Sequence, residues 1–362
     1  MNVYVCSTVR HVLFAVLRAA ATPEECHKIV LFSDYQSAGL ADWNLAALPA
    51  QTSVVQLQRG AVRAALAHDW IGRLAYFFAL RGWRAPAFFR RALASAVASA
   101  NAEAGALWDE QRPPRLWLFN ERNKMARVFR QLQPRFELLE EGEGNYTRIN
   151  VPIWKWPLRA LRGLPPRVRL FGEDSRCVAI WVLYPDRLAA RLKHKAQRID
   201  FLRGPTAARL LRQLFAAALP EGFGDATVIL ATQPLELVDG VTVADKQRFY
   251  TQLAGNLLER GEQVILKAHP AEPVTDYDFM SAQVTRTRDA LPLEVLLLAS
   301  ERRLQVVSVI SSAGLGFEDH CVRVKLCAEG TDTAGFGRAV RYWLHNPGEL
   351  TATLHKRLDA TN

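Results

Sequence analysis

The feature that most restricts this chain is a repeated alternation of short apolar runs with longer segments patterned at helical spacing. VYVCS (3–7) precedes HVLFAVLRAAA, and KIVLFS (28–33) and SVVQLQ (53–58) follow. These runs read as buried strands. A long helical region extends from about Gly60 to Ala104. RLWLF (115–119) resumes the strands, RNKMARVFRQL (122–132) is helical, and RFELLE (135–140) is again a strand. Strands separated by helices in this way predict a parallel sheet with helices on its faces.

At 362 residues the chain is longer than one core usually grows, so two domains are expected. The second alternating unit is cleaner. ATVILA (226–231), QVILKA (263–268), LQVVSVI (304–310) and CVRVKLC (321–327) are strands. VADKQRFYTQLAGNLLER (243–260), LPLEVLLLAS (291–300) and GFGRAVRYWLHN (335–346) are helices. The stretch 147–224 is rich in proline, arginine and tryptophan and has poor periodicity. The expected layout is an α/β chain with two Rossmann-like domains facing a central cleft, at 1–150 and 225–345. A connecting region at 151–224 and a tail at 346–362 complete it, and a single larger α/β domain is the alternative.

With 49% hydrophobic and 23% charged residues the chain is globular, and no apolar run approaches the roughly 18 residues of a membrane span. The N-terminus begins as a strand and lacks the layout of a secretory signal. Five scattered cysteines, odd in number and without CxxC spacing, predict packed thiols in a reducing cytoplasm. A net charge of +10 points to anionic partners: nucleic acid, anionic lipid or acidic sugars. A solvated arginine-rich surface is the plainer alternative. GxGxxG after a strand, a Walker loop, HExxH and GxSxG are all missing, and no DxD-like pair implies a metal or cofactor.

Ligands of open α/β sheets bind beyond the carboxyl ends of the strands. Three strand ends of the second unit stand out: ATQPL (231–235) with Gln233, KAHPAEP (267–273) with His269 and Pro270, and SSAGLG (311–316) with Ser311, Ser312 and Gly314. Hydroxyls and glycine-freed amides after a strand suit a phosphate, especially at a helix N-terminus, and they equally suit an N-capped turn. His269 could assist a departing phosphate or serve as a hydrogen-bonded structural residue. Glu294, inside a short apolar helix, needs a partner, either ribose hydroxyls or an arginine. In the first unit, Glu140 and Glu141 end a strand ahead of Gly142 and Gly144. Adjacent carboxylates partly shielded from water raise one pKa and can hold a base ready, although a solvated turn looks the same. STVRH (7–11) offers Ser7, Thr8 and His11 to sugar hydroxyls, or simply caps a helix.

The order of Glu140-Glu141-Gly142, His269-Pro270 and Ser311-Ser312 resembles the bacterial sialyltransferases, closest to the lipooligosaccharide sialyltransferase and polysialyltransferase types. That resemblance implies a GT-B-like fold and a CMP-activated nonulosonic acid donor, sialic acid or a relative. It also implies metal-independent inverting transfer to a bacterial surface glycan such as lipooligosaccharide or capsule. One acid of the pair, with Glu140 favoured, would deprotonate the acceptor, near Gly142, Ser7, Thr8 and His11. His269 would stabilise the departing phosphate. Ser311, Ser312, Gln233, Pro270 and Gly314 would bind the CMP end, and Glu294 the ribose.

The segment 73–97 is basic and aromatic, which suits an anionic membrane surface or recognition of an acidic glycan, and the resemblance implies peripheral attachment at the cytoplasmic face of the inner membrane. Packed helices with solvated arginines are the alternative. Arg81, Arg84, Arg90 and Arg91 would face lipid, and Trp83, Phe88 and Phe89 would insert. Nucleic acid is not an expected partner. Competing functions are transfer from CMP-Kdo or a UDP-sugar, a sugar-nucleotide hydrolase or epimerase of similar fold, and a non-catalytic protein that binds anionic glycans.

Overall fold

The computed structural model describes residues 1–35, 43–108, 113–161, 163–202, 205–215, 220, 223–269, 271–287 and 291–361. Contacts divide the chain into two compact units, Met1–Ala207 and Ala208–Asn362.

The strands of the first unit are β1 (Asn2–Cys6), β2 (His27–Phe32), β3 (Thr52–Leu57), β4 (Arg115–Leu118), β5 (Phe136–Leu139), β6 (Ile149–Asn150), β7 (Val168–Arg169), β8 (Cys177–Val182) and β9 (Ala196–Arg198). Its helices are α1 (Val9–Ala21), α2 (Arg59–Ala67), α3 (Trp70–Arg81), α4 (Ala87–Ala100), α5 (Ala102–Gly105), α6 (Lys124–Leu132) and α7 (Trp156–Ala160). β6 and β7 make a small antiparallel ribbon. The other seven strands form one sheet in the order β3-β2-β1-β4-β5-β8-β9, parallel throughout. The order reverses between β1 and β4, and a crevice for ligands opens at such a switch point. Val3, Val5, Val30, Phe32, Leu116 and Leu118 carry one face of the sheet into a core shared with Val62, Leu93, Val128 and Phe129 of the helices.

α8 (Pro205–Leu214) contains the division between the units. The second unit then runs β10 (Val228–Ala231), α9 (Val243–Glu259), β11 (Val264–Lys267), β12 (Thr285–Arg286), α10 (Leu293–Ala299), β13 (Leu304–Ser308), β14 (Cys321–Lys325), α11 (Thr333–His345) and α12 (Pro347–Asp359). Its sheet is again parallel, in the order β12-β11-β10-β13-β14, with the reversal between β10 and β13. Thr242 and Asp245 close a capping box that starts α9, and the helix buries Phe249, Tyr250, Leu253 and Leu257. The expected α/β class, with two Rossmann-like parallel sheets, is the observed one.

Three segments differ from the sequence expectation. The helical region 60–104 is four helices, because Asp69 starts a new N-cap by accepting from the Gly72 amide and Pro86 precedes α4. The stretch taken as a connecting region supplies β8 and β9 to the first sheet, and the division falls at 207/208. The residues taken as a tail include α12, which buries Leu350, Leu354 and Leu358 at helical spacing in the second core. Phe89, expected to insert into lipid, is only 5% exposed and belongs to the first core. Trp70, Leu74, Phe77, Trp83 and Phe88 are the large apolar side chains exposed on α3, α4 and their junction.

Candidate active site

β5 delivers Glu140 and Glu141 to the carboxyl edge of the first sheet. Strand alternation continues past Leu139, so the two neighbouring carboxylates diverge. Glu140 turns inward and is 1% exposed. Its Oε2 accepts from the Tyr146 hydroxyl and, at 2.7 Å, from the Leu183 amide beyond β8. Glu141 turns outward, with about a third of its side chain exposed (35%). The Asn120 side-chain amide, beyond β4, donates to both its oxygens at 3.0 and 2.8 Å. Burial raises the Glu141 pKa, opposed by the Asn120 hydrogen bond and by Arg122.

Asn145 shapes the turn between them and Tyr146. Its Oδ1 accepts from the amides of Glu141 (2.8 Å) and Gly142 (3.1 Å). Gly142 takes a φ of 143°, which disfavours any residue with a Cβ.

β1 brings STVRH to the same edge, across the switch point from Asn120. Thr8 caps α1 by accepting from the His11 amide at 3.2 Å, and the Ser7 hydroxyl accepts from the Asn123 side chain at 3.3 Å. His11 is buried and stacks on Phe119, centroids 4.3 Å apart and rings 4° from parallel. Burial, aided by Arg10, lowers its pKa to about 3, so the imidazole is neutral. Its Nδ1 accepts from the Ser7 amide at 3.1 Å, which leaves the proton on Nε2, 3.8 Å from Glu141 Oε1. That edge therefore joins the ends of β1, β4 and β5 around one partly exposed acid.

In the second unit, the loops after β10, β11 and β13 lie beside one another by sheet order. Gln233 ties two of them together: its Oε1 accepts from the Ile310 amide at 2.9 Å, while its backbone holds the Tyr250 hydroxyl from both sides. The SSAGLG segment is a turn, and no helix starts there, so its amides lack a helix dipole behind them. Arg323 of β14 donates to the carbonyls of Ala313 (3.0 Å) and Ser311 (3.5 Å), occupying the atoms that would repel an anion. Gly314 has a φ of 75°, and a Cβ there would lie 2.7 Å from the Cys321 sulfur. Glu294 is buried in α10. It lies close enough to Cys321 to contribute to that thiol's raised pKa, about 12, which is caused first by burial and then by Glu318.

His269 is held at three points. Its amide donates to Thr232 Oγ1 (3.1 Å), its carbonyl accepts from the Glu272 amide (2.9 Å), and its Nδ1 accepts from the Ala271 amide (3.2 Å). The ring proton is therefore on Nε2. Burial lowers the His269 pKa and Lys267 lowers it further, against an opposing Glu272. Lys267 itself is buried, with its ammonium on the Ala268 carbonyl at 2.8 Å. Pro270 lies outside the described residues.

A family profile described as alpha-2,8-polysialyltransferase (POLYST) matches residues 124–315, more than half of the chain. The chain belongs to the alpha-2,8-polysialyltransferase family. It is accordingly a glycosyltransferase of sialyltransferase type, a class that works on a nucleotide-sugar donor and a glycan acceptor. No curated protein sequence matches it significantly. Among solved structures it is similar to an α/β-galactoside α-2,3-sialyltransferase from Photobacterium phosphoreum, with 10% identity, 95% of each chain covered and a TM-score of 0.48. The glycosyltransferase SnogD from Streptomyces nogalater is 14% identical over 98% of this chain and 99% of its own, with a TM-score of 0.48. A UDP-GlcNAc 2-epimerase from Neisseria meningitidis is 11% identical over 98% and 94%, with a TM-score of 0.41.

The polysialyltransferase match takes in the acidic pair, His269, Glu294 and the Ser-Ser turn, and leaves out Ser7, Thr8 and His11. Sequence reasoning passed over Asn120, Asn145, Tyr146, Thr232, Lys246 and Glu272. One of these carried a readable signal. Lys246 is the only charge on the stripe of α9 formed with Phe249, Tyr250, Leu253 and Leu257, where an apolar side chain would be expected.

Proposed function

We propose that the chain transfers a nonulosonic acid, sialic acid or a relative, from a CMP-activated donor to a bacterial surface glycan such as lipooligosaccharide or capsule. Transfer is by direct displacement with inversion and without a metal ion. The observation that carries this reading is the contrast within the acidic pair. Glu141 is partly exposed, oriented by two bonds from Asn120 and raised in pKa, as suits a base that takes a proton from an acceptor hydroxyl. Glu140 is assigned to holding the Tyr146 turn. Its burial therefore moves the base from Glu140, the sequence preference, to Glu141.

On the donor side, the neutral His269 offers its Nε2 proton to the phosphate that leaves with CMP. Ser311 and Ser312 bind that phosphate, Gly314 allows its close approach, and Glu294 takes the ribose hydroxyls. The proton removed by Glu141 and the negative charge arriving on the CMP phosphate then balance the step. Gln233 serves as a brace between loops. Thr8 and Ser7 fix the start of α1, and His11 acts on the acceptor side through its proximity to Glu141.

The assay is CMP release from CMP-sialic acid and CMP-Kdo with and without a glycan acceptor, together with thermal shifts by CMP and UDP. Acceptor-dependent release and a shift by CMP support the reading. Preference for UDP overturns the donor, and steady release without acceptor makes the protein a hydrolase.

Among the described residues no helix is long and apolar enough to cross a membrane. Peripheral attachment through α3 and α4 is part of the proposal, with Trp70, Phe77, Trp83 and Phe88 exposed beside Arg81, Arg84 and Arg91. The protein should sediment with anionic vesicles and remain in solution with neutral ones. Equal behaviour toward both removes this element.

A further inference from the structure

Beneath the His269 loop lies a polar cluster that neither the fold nor the proposed chemistry has used. Glu272 is 6% exposed, and Lys246 is 2% exposed. The Lys246 ammonium donates to Glu272 Oε1 at 2.6 Å, and the Tyr277 hydroxyl donates to Oε2 at 3.0 Å. Thr232 Oγ1 contacts the same Oε2 at 3.4 Å while accepting the His269 amide at 3.1 Å. Since Oγ1 accepts from an amide, its own proton is directed to the carboxylate. The path from α9 to the catalytic-edge loop is therefore continuous, from Lys246 through Glu272 and Thr232 to His269. Lys246 also faces Glu236 at 3.2 Å and Asp276 at 3.8 Å, and a buried ionic cluster of this kind contributes little net stability compared with apolar side chains of the same volume. Placing one on the apolar stripe of α9, directly under a loop that grips His269 by its amide, its carbonyl and Nδ1, suits a role in orientation.

We infer that Thr232, Glu272 and Lys246 are positioning residues that hold the His269 imidazole in its donor-facing orientation. The inference rests on the role proposed above for His269. Displacing a reacting group by about 1 Å costs on the order of 100-fold in rate. Thr232→Val, which keeps the shape and removes the hydroxyl, should lower kcat by about 10- to 100-fold with little change in acceptor KM. Thr232→Ser, which restores the hydroxyl, should recover most of that loss. Contacting residues that act as a unit are non-additive. On a His269→Ala background, Thr232→Val should therefore cost almost nothing further, whereas a merely structural threonine would cost the same in both backgrounds. The His269 amide should also exchange with solvent faster in Thr232→Val than the other amides of the second unit do, and Thr232→Ser should restore its protection.

Equal losses in the two backgrounds, or a serine variant as poor as the valine one, overturn the inference. Active Thr232→Val beside inactive His269→Ala rejects this inference alone. An active His269→Ala rejects the donor-side reading beneath it.

Discussion

The two sheet edges solve opposite problems with the same residue types. At the first, a neutral histidine is buried and a carboxylate is left partly exposed above it. At the second, a carboxylate and an ammonium are buried, and the histidine stands above them. The buried layer is hydrogen-bonded through His11 Nδ1 at the first edge and through Glu272 with Lys246 and Tyr277 at the second, and the upper group is held by its backbone or by a side-chain amide. Such a layout keeps one group per edge free to exchange a proton or a hydrogen bond with a substrate. The raised Glu141 and the lowered His269 follow from it, since burial disfavours the charged form of each.

The comparison breaks first at the acidic pair. Glu141→Gln should cost about 100- to 10,000-fold in kcat, the usual contribution of a general base, without changing the melting temperature. Glu140→Gln should do the reverse, costing about 1–3 kcal/mol of stability by disrupting the bonds from Tyr146 and Leu183, with the smaller kinetic effect. If the Glu140 variant is the inactive one and melts normally, the roles are exchanged. Because Glu141 must be ionised to act, activity is lost as pH falls through its raised pKa. The acid limb of the rate profile should therefore stand above the ordinary 4.5.

A further effect concerns the dependence of stability on pH. The folded His11 resists protonation down to about pH 3, whereas the unfolded residue titrates near 6.5. Across that window the unfolded state binds the extra proton, so stability present above pH 6.5 is lost as pH falls toward 3. His11→Gln should flatten the dependence of melting temperature on pH. An unchanged slope would mean that His11 charges freely in the folded state.

Much of the candidate site was readable along the chain, because strand ends are local. An apolar run followed by Ser-Ser, His-Pro or Glu-Glu marks a carboxyl edge wherever the strand lies in the sheet. The exposed member of the acidic pair was not readable. Glu140 is buried because β8 runs beside β5 and presents the Leu183 amide, and β8 was hidden in a stretch whose prolines, arginines and tryptophans mask its alternation. Phe89 misled for a related reason. Adjacent phenylalanines on a helix point in different directions, so Phe88 is exposed and Phe89 is core.

The sequence by itself determined the two parallel α/β units and the motifs at their strand ends, since periodicity and strand punctuation depend only on near neighbours. Tertiary structure alone decided which carboxylate meets solvent, which nitrogen of each histidine keeps its proton, and what lies under His269. Those outcomes depend on groups brought together across a sheet: Asn120 with Glu141 and Thr232 with His269, from separate strands, and Lys246 with Glu272 between a helix and a strand-end loop.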